Sequence, residues 1–441
     1  MHQADKHHVL QTAFVVFPCF FLFRYNQVVV GALVSFEAFT QLFPQLDTAH
    51  ITGAVKSHRS VIQGVYVSSF TLGCAVGAFS CSFIRDRLGR RKTICTGSKF
   101  TLIGELFIGR ILTGIGVGIF STMVPVWQSE SSPPAINCGR HVVDGIFITS
   151  GYAVSYWINY GVSCIQEHDV SWRVPLATPG VLSIDLCLGI FFFPESPRWL
   201  VSIGHIEKAT SELARLKGLD SAGDKITREV NAIEVSLEST AQKASTYRDI
   251  FTMKDGKLFY RVFLCVGLQF WIQMTGAQVI STYSTTIFPQ NLNLSDGITR
   301  ILAGSALIWK FLAAFISLFT TSIDLVAGYS FLICGVGVTT CMTCMAITTS
   351  FSSSNKAAAI ASTVFVFLFN FFFPIGFLGP SFLYCTGVAP LGFANFLLQR
   401  VTPFALSSIG YKYYIVYAVI GLTYIISVYL FYPETMGQSL E

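Results

Sequence analysis

Charged residues are missing from four long stretches of the chain: Val61 to Ile84, Leu325 to Ser354, Ala357 to Gln399 and Tyr413 to Tyr432 contain no Asp, Glu, Lys or Arg. Runs of that length predict helices that cross a bilayer, because a spanning helix needs about 20 apolar residues. A backbone in hydrocarbon must pair its amides within the protein, which leaves helices or a closed barrel, and the runs lack the alternation of barrel strands. The pattern therefore predicts an all-α integral membrane protein. Spans are expected near Val9 to Val34, Val61 to Ile84, Val142 to Val162 and Val174 to Phe193, then near Val262 to Ile287, Ile301 to Ile323, Leu325 to Thr349, Ala357 to Gly379, Phe382 to Ser408 and Tyr413 to Tyr432. Between the second and fifth of the first-half spans lies one compressed block, Thr93 to Gln128. Its length is short of the roughly 40 residues that two full spans and a turn require.

Polar residues divide the chain. Pro194 to Arg261 holds eleven Lys or Arg and ten Asp or Glu, with a helix-like stretch from Glu207 to Glu238, and reads as a solvated connector. The expected organisation is a first half over 1–193, a connector over 194–261 and a second half over 262–441. The halves end alike, Phe193-Pro194-Glu195-Ser196 against Tyr432-Pro433-Glu434-Thr435, which marks a parallel internal repeat. Two apolar halves joined by a polar loop are the layout of carriers whose halves rock about a midplane site. Pro-Glu-Ser/Thr capping two unrelated helix ends would leave the same trace.

Composition agrees with the pattern: 52% of the residues are hydrophobic and 12% charged, against about 25% charged in soluble chains. Met1 to His8 is short, polar and without a small-residue cleavage site, so the apolar block at Val9 reads as a first span rather than a signal peptide. Arg85, Arg87, Arg90, Arg91 and Lys92 crowd one short loop, and with the connector they are expected on the cytoplasmic side. The acceptor Asn293-Leu294-Ser295 would then face outward. The net charge of +5 suits contact with anionic lipid and calls for no nucleic acid. Twelve Cys are scattered mostly within spans, and the lone CxxC of Cys341 and Cys344 reads as core packing without a metal or redox partner. No HExxH or GxSxG occurs, and no enzyme, cofactor or metal is expected.

The loop Asp86-Arg87-Leu88-Gly89-Arg90-Arg91-Lys92 resembles the inter-span motif of the major facilitator superfamily. Gly109-Arg110, Thr113-Gly114-Ile115-Gly116, Val124-Pro125-Val126-Trp127-Gln128-Ser129-Glu130, Gly139-Arg140, Pro194-Glu195-Ser196-Pro197-Arg198-Trp199-Leu200 and Pro433-Glu434-Thr435-Met436-Gly437-Gln438-Ser439 resemble the sugar porter family, in particular fungal hexose and polyol carriers. The resemblance implies the major facilitator fold, two six-helix halves, with the third span and the loop between spans ten and eleven shortened. It implies alternating-access transport of a monosaccharide or polyol in a multi-pass plasma-membrane protein, with a small neutral sugar or polyol, protons and membrane lipid as partners. It also implies an ion-pair network of Asp86, Arg90, Arg91, Arg110, Glu130, Arg140, Glu195 and Arg198 at the inner ends of the helices.

Substrate contacts implied by the same resemblance are Gln273, Gln278, Phe373, Gly376 and Phe382. Amides suit such a role because they donate and accept without carrying charge, and ring faces stack on a sugar; helix packing would use the same residues. The sequence departs from the family in several places. Asn26 stands where symporting members carry a proton-exchanging Asp, beside an added Arg24. Ile272 and Gln278 replace a Gln and an Asn, and Gly145 replaces a Gln. Asp185 and Lys310 put charge inside the sixth and eighth spans, where charges mark function or damage. A sugar sensor that does not transport, and an inactive remnant of a carrier, remain the alternative readings.

Overall fold

A computed structural model describes residues 9–33, 37–46, 54–101, 107–131, 134–163, 170–217, 223–242, 264, 267–268, 270–277, 280–281, 296–322, 327–351, 355–378 and 412–431. These residues are helical with short connections, and no strand occurs among them. A single π-turn, Thr12–Val16, leads into α1 (Phe17–Leu33). The first half continues with α2 (Glu37–Leu42), α3 (Ala54–Leu88), α4 (Arg90–Thr101), α5 (Phe107–Glu130), α6 (Pro134–Ser163) and α7 (Val170–Gly189). Next come α8 (Pro197–Ser202), α9 (Ile206–Lys217) and α10 (Asp224–Gln242), and then α11 (Asp296–Ser322), α12 (Ala327–Ser350), α13 (Lys356–Phe377) and α14 (Lys412–Phe431).

Among the described residues eight helices are long and apolar enough to cross a bilayer. Large apolar side chains such as Phe79, Val181, Phe192, Ile360 and Leu430 lie exposed on them, which only a lipid solvent tolerates in such number. The expected span at Val61 to Ile84 lies inside the longer α3. Its ends add His58, Arg85 and Arg87, whose long or polar side chains can reach the interface while the helical hydrogen bonds continue. Within the compressed block α5 has 24 residues, and α4 is described over 12, up to Thr101, where the described residues break off until Phe107. The expected short loop between Tyr384 and Phe393, the span near Phe382 to Ser408, Asn293 and the Pro433 segment lie outside the described residues.

The contacts repeat between the halves. In the first, α3 packs on α5, α4 on α5 and α4 on α7; in the second, α11 packs on α13, α12 on α13 and α12 on α14. Close approach at the first of these pairs rests on small residues: a Cβ at Gly77 would stand 2.1 Å from the Ile115 carbonyl oxygen. The halves meet where α6 lies against α11, and there Tyr156 donates its hydroxyl to the Arg300 carbonyl at 2.9 Å. One apolar cluster runs through this junction, from Phe120, Trp127 and Ile148 to Leu268, Leu307, Phe331 and Phe369. The connector helices α8 to α10 close a separate small core of Leu200, Val201, Ala209, Leu213, Ile226 and Val230, beside the Lys217 to Glu229 ion pair.

Candidate functional site

Two polar centres interrupt the apolar interior, one at the Arg-rich helix ends and one between the halves. At the first, α3 stops at Leu88 and Gly89 turns the chain with φ +83°. Any Cβ there would stand 2.9 Å from the Trp199 ring and 3.0 Å from Glu195 Oε2, so the turn requires glycine for its conformation and for its space. The turn presents the first amides of α4 to Glu195: the N–H groups of Arg90 and Arg91 donate to Oε1 at 3.1 and 3.2 Å. A carboxylate at the positive end of a helix is a favourable arrangement. Burial pushes the Glu195 carboxyl above its ordinary value, and the amide donors of Ser196, Arg91 and Arg90, with the Arg91 charge, oppose that rise only in part.

Arg90 forks onto Glu130, Nε to Oε2 and Nη2 to Oε1, both at 2.8 Å, and lies 3.9 Å from Asp86. Such two-point contacts fix geometry as well as charge. Arg91 donates to the Phe191 carbonyl at 2.6 Å. Two indoles pin the same end, Trp199 to the Asp86 carbonyl at 3.2 Å and Trp127 to the Pro194 carbonyl at 3.1 Å. Ser196 caps α8 by accepting from the Trp199 amide, with Pro197 at its first position. Of the expected network, Asp86, Arg90, Arg91, Glu130 and Glu195 come together here. Arg198 is exposed on α8 and enters none of these pairs; Arg140 belongs to α6, and its side chain lies outside the described residues. The two Trp were legible only as members of motifs whose importance rested on their charges.

Arg110 is placed elsewhere. It is fully buried in α5, where its Nη1 donates to the Asn26 carbonyl at 3.2 Å and its guanidinium lies 5.1 Å from the Phe70 ring. The second centre is built by α1, α6, α11, α13 and the segment that carries Ser281. Lys310 of α11 is fully buried, donates to Ser281 Oγ at 2.7 Å and lies 4.6 Å from the Tyr152 ring and 4.8 Å from the Phe373 ring. Arg24 of α1 approaches the same Tyr152 ring at 5.3 Å and donates to Gln27 Oε1 at 2.7 Å. One aromatic ring of α6 is thus shared by a cation from each half. A Lys or Arg at the bilayer centre costs about 2.5 to 3.5 kcal/mol on insertion scales, so buried cations are uncommon within spans.

Phe373 stacks on Phe369 at 6.0 Å and 9°, and Asn370 beside them is buried with its Oδ1 unpaired. Gln273 is buried three residues before Gly276, whose φ of +81° breaks the helix. A Cβ at Gly276 would stand 2.6 Å from Met342 Cε and 3.0 Å from the Tyr417 ring. Broken spans of this kind turn backbone groups and side chains toward a site between halves. Gly376, expected at the substrate, sits in a helix contact: a Cβ there would meet Cys334 Cβ at 2.5 Å. Gln278 and Phe382 lie outside the described residues. Lys310 and Arg24 stood out in the sequence as misplaced charges, whereas Tyr152 and Asn370 carried no signal beyond an aromatic and an amide in apolar helices.

The family described as "Sugar (and other) transporter" matches residues 12–441. The chain is 28% identical to the "Sugar transporter STL1" of Saccharomyces cerevisiae, over 96% of this chain and 78% of the relative. It is 30% identical to the "Quinate permease" of Neurospora terricola, over 95% of this chain and 84% of the relative. Among solved structures, the xylose transporter XylE from E. coli in a partially occluded inward-open conformation superposes with a TM-score of 0.79 at 19% identity, covering 99% of this chain and 100% of that one.

Proposed function

Because the chain belongs to the sugar (and other) transporter family and spans the membrane many times, we propose that it carries a small polyhydroxylated molecule, a monosaccharide or polyol, across the plasma membrane by alternating access. The two halves, 1–193 and 262–441, rock about the centre between them while the connector at 194–261 stays on the cytoplasmic side. The observation that carries this reading is that Gln273 and Asn370 are buried amides in the second half, and that Phe373, stacked on Phe369, lies at the Lys310 to Tyr152 contact between the halves. Amides satisfy hydroxyls in both directions, and ring faces cover the apolar side of a sugar. Gln278 and Phe382 complete the same site in this reading.

Asp86, Arg90, Arg91, Glu130 and Glu195 form the cytoplasmic clasp of the first half, which must open for release to the inside. Arg140 and Arg198 are assigned to that clasp from the family resemblance. Asn26 cannot exchange a proton near neutral pH, so proton coupling does not run through position 26. Amides and rings suit uncharged hydroxyls, and they leave the charge of Lys310 without a use. The test is uptake of labelled hexoses and polyols by a cell without its own hexose carriers. Uptake of at least one, abolished by replacing Gln273 with Ala, is expected; a folded protein in the membrane that moves none of them refutes the reading.

A further inference from the structure

Resting on that reading, we propose that the cargo bears a carboxylate, and that Lys310 is the group that holds it: the substrate is a compact hydroxylated acid. Lys310 is fully buried, and its contacts are the Ser281 hydroxyl and the rings of Tyr152 and Phe373. No carboxylate lies within ion-pair distance of it among the described residues. A fully buried lysine whose described partners are all neutral is a group that lacks a counter-charge, since buried charges are ordinarily paired.

Arg24, from the other half, shares the Tyr152 ring with Lys310, so a second cation stands at the same ring. Arg110 donates to the Asn26 backbone carbonyl, and both polar atoms of the Asn26 side chain are unpaired. Asp144 of α6 is fully buried as well and lies within electrostatic reach of Cys19 in α1, which leaves the described buried charges with an excess of positive sign.

The geometry selects the kind of anion. Lys310 offers a point charge against two ring faces, which suits one carboxylate on a small ring with an apolar side. A phosphate brings nearly two charges and three strong acceptor oxygens, and calls for a nest of backbone amides or a fork of donors turned on one point. The hydroxyls of the acid then fall to Gln273 and Asn370. Occupancy has a mechanical consequence. Lys310 belongs to one half and Tyr152 to the other, so an acid held by Lys310 sits at the seam and is enclosed as the halves close.

The experiment uses the full chain in lipid vesicles, with quinate as the acid, myo-inositol as the uncharged ring polyol and glucose 6-phosphate as the phosphate. Wild-type protein should take up quinate at least tenfold faster than myo-inositol, and glucose 6-phosphate should compete poorly. In Lys310→Met the ratio of quinate to myo-inositol uptake should fall at least tenfold, and Lys310→Arg should restore most of it. In detergent, Lys310→Met should melt above the unliganded wild type, and quinate should raise the melting temperature of the wild type alone. Should Lys310→Met fail to fold, stabilisation of the wild type by quinate but not by myo-inositol decides the matter alone. Equal uptake of quinate and myo-inositol with a ratio indifferent to Lys310→Met, or a preference for glucose 6-phosphate, overturns the inference and leaves the polyol reading standing. A folded wild type that moves no sugar, polyol or acid removes both.

Discussion

Arg110 of α5 donates to the backbone carbonyl of Asn26 in α1 across 3.2 Å, while its own Nε and Nη2 and both polar atoms of the Asn26 side chain stay unpaired. A guanidinium buried against an amide is short of one negative charge. Asn26→Asp supplies it. The variant is expected to gain on the order of 1 to 3 kcal/mol, read as a higher melting temperature, because a charged hydrogen bond replaces unmet groups. It should also make uptake faster at acid than at neutral external pH, with the wild type flatter across the same range. Uptake with the same pH profile in both proteins would show that position 26 is not where coupling is lost.

The Arg90 to Glu130 fork makes a second prediction. Both side chains are about nine-tenths buried, so removing one leaves the other charge stranded. Arg90→Ala and Glu130→Ala should each destabilise the protein by about 3 to 5 kcal/mol. The double variant should lose less than the sum, with a coupling of about 0.5 to 3 kcal/mol in a thermodynamic cycle. Arg90→Lys keeps the charge but loses the fork, and should fall between.

Glu195 links the same clasp to pH. Burial raises its carboxyl above the ordinary value in the closed arrangement, and opening would return it to water. The closed form therefore holds the proton more tightly than the open form. Closure is strongest below the ordinary carboxylate value of the open form, weakens as pH rises from there to the raised value, and levels off above it. Labelling of a cysteine placed at Gly89 would be sterically confounded, so accessibility is better read at Thr93, fully buried in the first turn of α4. Labelling there should rise with pH in the wild type, and Glu195→Gln should flatten the profile.

Gly276→Ala tests the broken helix. The left-handed backbone costs about 1 to 2 kcal/mol for a residue with a Cβ, and Met342 and Tyr417 leave that carbon no room. Uptake should fall at least tenfold, with reduced surface abundance measured in parallel. Gly180→Ala in α7 is the control: nothing lies within 4 Å of its Cβ, and helix propensity should make it neutral or stabilising by about 0.5 to 1 kcal/mol.

The sequence by itself determined that lipid is the solvent, that the spans are helical, that α8 to α10 form a polar interlude and that Gly89 turns the chain between Asp86 and Arg90. These are local consequences of hydrophobic run length, charge placement and glycine geometry, and each acts within a few turns of its own residues. Tertiary structure alone decided which carboxylate each arginine meets. Arg90 takes Glu130, 40 positions away, whereas Arg110, grouped with it by motif, faces Asn26 of another helix. It alone brought Lys310, Tyr152, Ser281 and Phe373 to one point, because they lie on four segments from two halves. In a low-dielectric interior a charge is defined by what stands within a few ångströms of it, and that distance is set by helix packing rather than by order along the chain.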